Sequence, residues 1–206
     1  MLPFDKVLVG LMRTIVAGDA EAVRKELARM PLLAGAAIEV GATRRAAKPF
    51  FLAEITHYVY GGDTALHVAA AAYQTEIVRL LLKAASDPSA RNKRGQEPLH
   101  YASDGVPGSK AWNPKAQAKT IALLVKAGAD PNTTDTEGTA PLHRAVRTRS
   151  TGAVQALLAA GANPKLKNGR GSTPLALAKT TTGRGGTGSP EAKAEQAAIL
   201  ALFQKR

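Results

Sequence analysis

Cysteine is absent from the 206 residues, which rules out disulfides, thiolate metal sites and thiol redox chemistry. Aromatic side chains are few, with four Phe, four Tyr and one Trp, so a core here has to be built from small aliphatic residues, the composition that lets helix axes approach closely. No stretch approaches the ~18 apolar residues of a membrane-crossing helix, and residues 1–16 are too polar for a signal peptide. These absences predict a soluble, cytoplasmic chain that does not enter a membrane. Acidic residues are scarce too: 16 Asp and Glu stand against 28 Lys and Arg, for a net charge of +12. Anionic surfaces attract such a molecule at low salt, and whether the attraction is specific depends on where the charge sits.

What the chain has in abundance is repetition. Thr64-Ala65-Leu66-His67, Glu97-Pro98-Leu99-His100, Ala140-Pro141-Leu142-His143 and Thr173-Pro174-Leu175-Ala176 are four versions of one tetrapeptide, spaced 33, 43 and 33 residues apart. A period of this size marks stacked supersecondary units, none of which buries its apolar face alone. Gly62, Gly95, Gly138 and Gly171 each stand two residues before a tetrapeptide, and Asn92, Asp135 and Asn168 stand three before the last three glycines. Asx-x-x-Gly is turn chemistry, with Gly free to take positive φ and the Asx side chain able to bond nearby backbone.

After each turn, Thr64 and Thr173 are placed to cap a helix, and Ala65, Pro98, Pro141 and Pro174 occupy the first helical position, where a missing amide is harmless. A short first helix and a longer second one follow. The second helices carry Ile77-Val78, Ile121-Ala122 and Val154-Gln155, and two of them stop at Gly128 and Gly161 with Pro131 and Pro164 just beyond.

In these residues the chain resembles the ankyrin repeat family, strongly over 62–178 and by extension elsewhere. The resemblance implies an all-α solenoid of about five units, each two antiparallel helices with β-turn or hairpin connections, stacked around a concave face. It implies a single repeat domain over 1–206: a degenerate N-terminal capping unit at 1–33, an expanded connection at 34–61, internal repeats at 62–94, 95–137 and 138–170, and a C-terminal capping unit at 171–206. Within the first cap, 18–23 aligns with 73–78.

Three departures break the period. The connection 34–61 ends in an aromatic and β-branched run, 50–60, that predicts an extended strand or lengthened hairpin. A second insertion, 103–115, holds the only Trp and supplies the extra residues of the 43-residue gap. The third, 182–189, is Gly-rich. Its Gly183-Arg184-Gly185-Gly186 superficially resembles a phosphate-cradling loop, but a P-loop needs a preceding strand and a Gly-Lys-Ser/Thr ending, so a connection is the reading here.

Catalytic chemistry is hard to place. His67, His100 and His143 hold equivalent positions, but one repeat separates them by roughly 10 Å, too far for shared metal coordination at ~2 Å. The family resemblance implies instead that each bonds its own turn. The carboxylates are scattered over positions expected to face water, and no nucleophile and base are suggested by local spacing. No catalytic residue, metal or cofactor is therefore expected.

The resemblance carries over the family's variable contact positions around each Asx turn. They are Arg91, Lys93, Arg94 and Gln96 in one unit, then Thr134, Thr136, Glu137 and Thr139, then Lys167, Gly169, Arg170 and Ser172. The ends of the first helices add Ala71 and Ala72, then Arg147 and Thr148. This gives two basic patches separated by a mixed, partly acidic segment. One reading is a docking face for an acidic protein segment, with Trp112 and Tyr101 as aromatic anchors; the other is an ordinary solvated surface. The preferred function is a monomeric, non-catalytic scaffold for a protein partner, with nucleic acid or another polyanion as the alternative.

Overall fold

A computed structural model describes residues 1–105, 112–180 and 190–204; the Gly-rich segment 182–189 and the central part of the second insertion, 106–111, lie outside the described residues. The chain is an all-α solenoid of helix pairs. The pairs are α1 (Pro3–Val16) with α2 (Ala20–Arg29), α3 (Ala65–Ala71) with α4 (Thr75–Lys83), α5 (Pro98–Ser103) with α6 (Pro114–Lys126), α7 (Pro141–Arg147) with α8 (Thr151–Ala159), and α9 (Pro174–Thr180) with α10 (Pro190–Gln204). Odd-numbered helices pack on one another in sequence to form an inner layer, and even-numbered helices form an outer one.

Small side chains make the inner layer. Ala65, Ala69, Ala70, Ala102 and Ala145 are fully buried where successive inner helices meet, while Ile77, Leu81, Ile121, Leu124 and Leu157 fill the space beneath the outer layer. Among the aromatic residues only Phe50 and Tyr101 are buried, consistent with the scarcity noted above. The alignment of 18–23 with 73–78 is reproduced in backbone conformation: Gly18 (φ 78°) and Tyr73 (φ 53°) both turn the chain between two helices in the left-handed region. Arg149 (φ 56°) does so in the later unit.

Each Asx turn is built by one side-chain oxygen accepting two amides. Asn92 Oδ1 accepts from Arg94 N (2.9 Å) and Gln96 N (3.0 Å), Asp135 Oδ1 from Glu137 N and Thr139 N, and Asn168 Oδ1 from Arg170 N and Ser172 N. Adjacent turns are then stitched together: Lys93 N donates to Gly61 O, Thr136 N to Arg94 O and Gly169 N to Glu137 O, at 2.8–3.0 Å. The approach is so close that a Cβ on Gly62, already at φ 87°, would lie 2.5 Å from Asn92 Cα. Only glycine satisfies both the φ and the contact.

The histidines do more than bond their own turns. His67 Nδ1 accepts from Thr64 N (3.1 Å), His100 Nδ1 from Glu97 N (3.1 Å) and His143 Nδ1 from Ala140 N (3.2 Å). That fixes the proton on Nε2, which donates to a carbonyl of the next unit: Gln96 O, Thr139 O and Ser172 O respectively, at 3.0–3.1 Å. Burial holds all three histidines below the ordinary value, and His100 down to about 4.

The 50–60 run forms a hairpin, as its composition predicts. Strands β1 (Phe51–Leu52) and β2 (His57–Tyr58) pair antiparallel, joined by a 3-10 turn at Ala53–Ile55 and by Thr56 in the left-handed region. The second insertion falls between α5 and α6. Its described ends are pinned by buried Gln117, whose amide donates to Ala102 O and Asp104 O (both 2.9 Å) and whose Oε1 accepts from Ser150 Oγ (2.6 Å) and Trp112 Nε1 (3.0 Å).

Candidate functional site

The turn tips and inner helices enclose two adjoining depressions. One, of about 430 Å³, is lined by Arg94, Gln96, Asp135, Glu137, Arg144 and Arg147 among others. The other, of about 370 Å³, is lined by His57, Tyr73, Tyr101, Asp104, Arg144 and Arg147 among others. Arg144 and Arg147 of α7 line both depressions.

The predicted contact residues divide into four groups. Arg94, Gln96, Glu137 and Arg147 come together around the first depression, with Asp135 and Glu137 between the arginines. Arg170 lies with Glu137 at a shallower recess between the last two turn tips, and Lys167 is exposed beside it. Arg91 and Lys93 are tied back onto the protein, Arg91 donating to Thr134 O and Lys93 Nζ to Glu39 O (2.7 Å). Arg94 is tied as well, its guanidinium stacked 3.7 Å above the Tyr60 ring. Trp112 is half-buried and donates to Gln117, which places it on its own scaffold rather than among the other contact residues.

Not all carboxylates face water, contrary to the sequence expectation. Asp63 is completely buried, where its oxygens accept from Tyr60 N (2.7 Å), Asn92 Nδ2 (2.8 Å) and Tyr101 Oη (2.9 Å). Glu97 and Asp135 are buried too. Burial raises the Tyr101 hydroxyl well above its usual range, so it stays a donor to Asp63. Asp104 forms a two-point pair with Arg144, including Arg144 Nε to Oδ1 at 3.0 Å, and Tyr73 Oη donates to its backbone carbonyl. Burial opposes ionisation of Asp104, but the guanidinium beside it holds the carboxyl below the usual carboxylate range.

His57 completes the second depression. It lies 4.8 Å from the Tyr101 ring in an edge-on arrangement, and its Nε2 is buried without a hydrogen-bond partner. Burial lowers its pKa, so the ring is neutral near pH 7. The sequence reading passed over Asp104, Arg144 and His57 entirely. One signal was present for Arg144: the position after each repeated tetrapeptide is Val68, Tyr101, Arg144 and Leu177, so a charge stands in an apolar register. Among the described residues no group of His, Asp and Glu is arranged to hold a metal ion.

Comparison with known proteins agrees with this architecture. Models described as "Ankyrin repeats (3 copies)" and "Ankyrin repeats (many copies)" match residues 35–110 and 124–178. The chain is also similar to NF-kappa-B inhibitor zeta of Homo sapiens, Bos taurus and Mus musculus, each 39% identical over 66 residues. That stretch covers 30% of this chain and 9% of each relative, so the likeness concerns a repeat segment and not a whole protein. With its stitched Asx turns, its histidine-linked helix pairs and the two matching models, the chain belongs to the ankyrin repeat family.

Proposed function

We propose that the chain is a non-catalytic interaction scaffold that takes a protein partner, as a monomer in the cytoplasm, on the face formed by its turn tips and inner helices. The observation that carries this is the convergence of Arg94, Glu137 and Arg147, which differ from unit to unit, on one depression, while residues that repeat are buried in the stack. Repetition serves stability, and variation at exposed tips serves recognition. Arg147 and Arg94 favour a carboxylate-bearing segment, and Glu137 sets its register by excluding acid from the centre.

Nucleic acid fits this face less well. Its cations alternate with Asp135 and Glu137, and Arg91 and Lys93 are already engaged within the protein. The test is affinity capture with the wild type and with R94E/R147E/R170E. Proteins retained by the wild type and lost by the variant are the expected result, and an identical set captured by both removes this face from consideration.

A further inference from the structure

The outer layer carries a second charged surface of a different kind. A groove of about 530 Å³ runs between α4 and α6, lined by Arg79, Lys115, Lys119 and Lys126, with Ala116, Ala122 and Leu123 on its floor. Lys83 lies one turn beyond Arg79, at the end of α4 and outside the groove lining. Lys115, Lys119 and Lys126 fall on one helical stripe spanning about 16 Å of axis. Across α4 and α6 together these five cations meet one carboxylate, Glu76, which lies toward α2 at 3.9 Å from Arg24. Two pairs, Arg79 with Lys83 and Lys115 with Lys119, are like charges at i,i+4, an arrangement that costs helix stability. Among the described residues these cations make no ion pair.

We propose that this groove is a docking site for an acidic segment of a partner protein, one that alternates carboxylates with aliphatic side chains. The rims supply charge complementarity, and the alanine and leucine floor receives the apolar side chains. No aromatic side chain lines the groove, so bases would find nothing to stack on, which favours peptide over single-stranded nucleic acid. The site is separate from the inner-helix face and stands independently of the function proposed for it.

Fluorescence anisotropy at low salt tests the inference on the full chain, using a labelled Glu/Leu peptide, its Lys/Leu counterpart and a labelled oligo-dT strand. The Glu/Leu peptide should bind and weaken as salt rises, and the Lys/Leu peptide should not bind. K115E/K119E should weaken the complex by about tenfold or more, while K115Q/K119Q gives an intermediate loss with an unchanged circular dichroism spectrum. R94E/R147E should leave it unaltered. Absence of peptide binding at low salt, equal binding by K115E/K119E, loss in R94E/R147E, or tighter binding of oligo-dT than of peptide would each overturn the proposal.

Discussion

The two long faces of this solenoid treat charge in opposite ways. On the inner-helix and turn face, several basic side chains have partners inside the protein: Lys93 caps Glu39 O, Arg94 covers Tyr60 and Arg144 pairs with Asp104. On the outer face, α4 and α6 present five cations to solvent with a single carboxylate among them. A net charge of +12 is thus a poor guide to any one surface. Internally bonded charges fix the geometry of a recognition face, whereas unpaired charges set long-range attraction.

If the inner face is held by its polar interior, the largest effect should come from its most connected carboxylate. Asp63→Ala leaves Tyr101, Asn92 and the Tyr60 amide without their acceptor, and a loss of about 3 kcal/mol is expected in urea unfolding. The second effect is pH dependence. Above pH ~6.5 His100 is neutral folded and unfolded; below it the unfolded chain binds protons that the folded chain refuses until about pH 4. Stability therefore falls as pH drops through this window, by about 2 kcal/mol at pH 5 from His100 alone, and His67 and His143 act in the same direction. Urea titrations at pH 7 and pH 5 measure it, and equal midpoints would break the link between the histidines and the stack.

Asp104→Asn probes the pair at the wall of the depressions. Arg144 is nearly buried and Asp104 only partly, so the cost should be about 1 kcal/mol by urea unfolding, most of it recovered when Arg144 is replaced as well. The smallest effect belongs to the other face. Lys119→Gln removes a like-charge neighbour of Lys115 and should stabilise by a few tenths, ~0.3 kcal/mol, at low salt. A clear loss of stability there would show that the outer cations have a structural part to play.

Legibility in the sequence followed the range of the interaction. Asn92, Asp135 and Asn168 close turns with amides two and four residues on, so spacing alone exposes them. Half of each histidine's role was equally local. The other half was hidden, because the carbonyls that receive Nε2 belong to the following unit, and only the stack brings them near. Asp63 was misjudged because an isolated carboxylate belongs on the surface by default, and its partners arrive from Asn92 and Tyr101. The Asx turns put Arg91 and Lys93 beside Asn92, but a sequence does not tell whether either side chain reaches outward or folds back.

The inter-unit histidine bonds join residues 29 apart in two cases and 39 apart in the third. The longer one is as short in space as the others, although the insertion between α5 and α6 falls within its span. The pitch of the array is consequently decoupled from its contour length. This makes the α5–α6 connection a natural port for change: whole peptides grafted there would alter what the molecule displays while every rung beneath keeps its place.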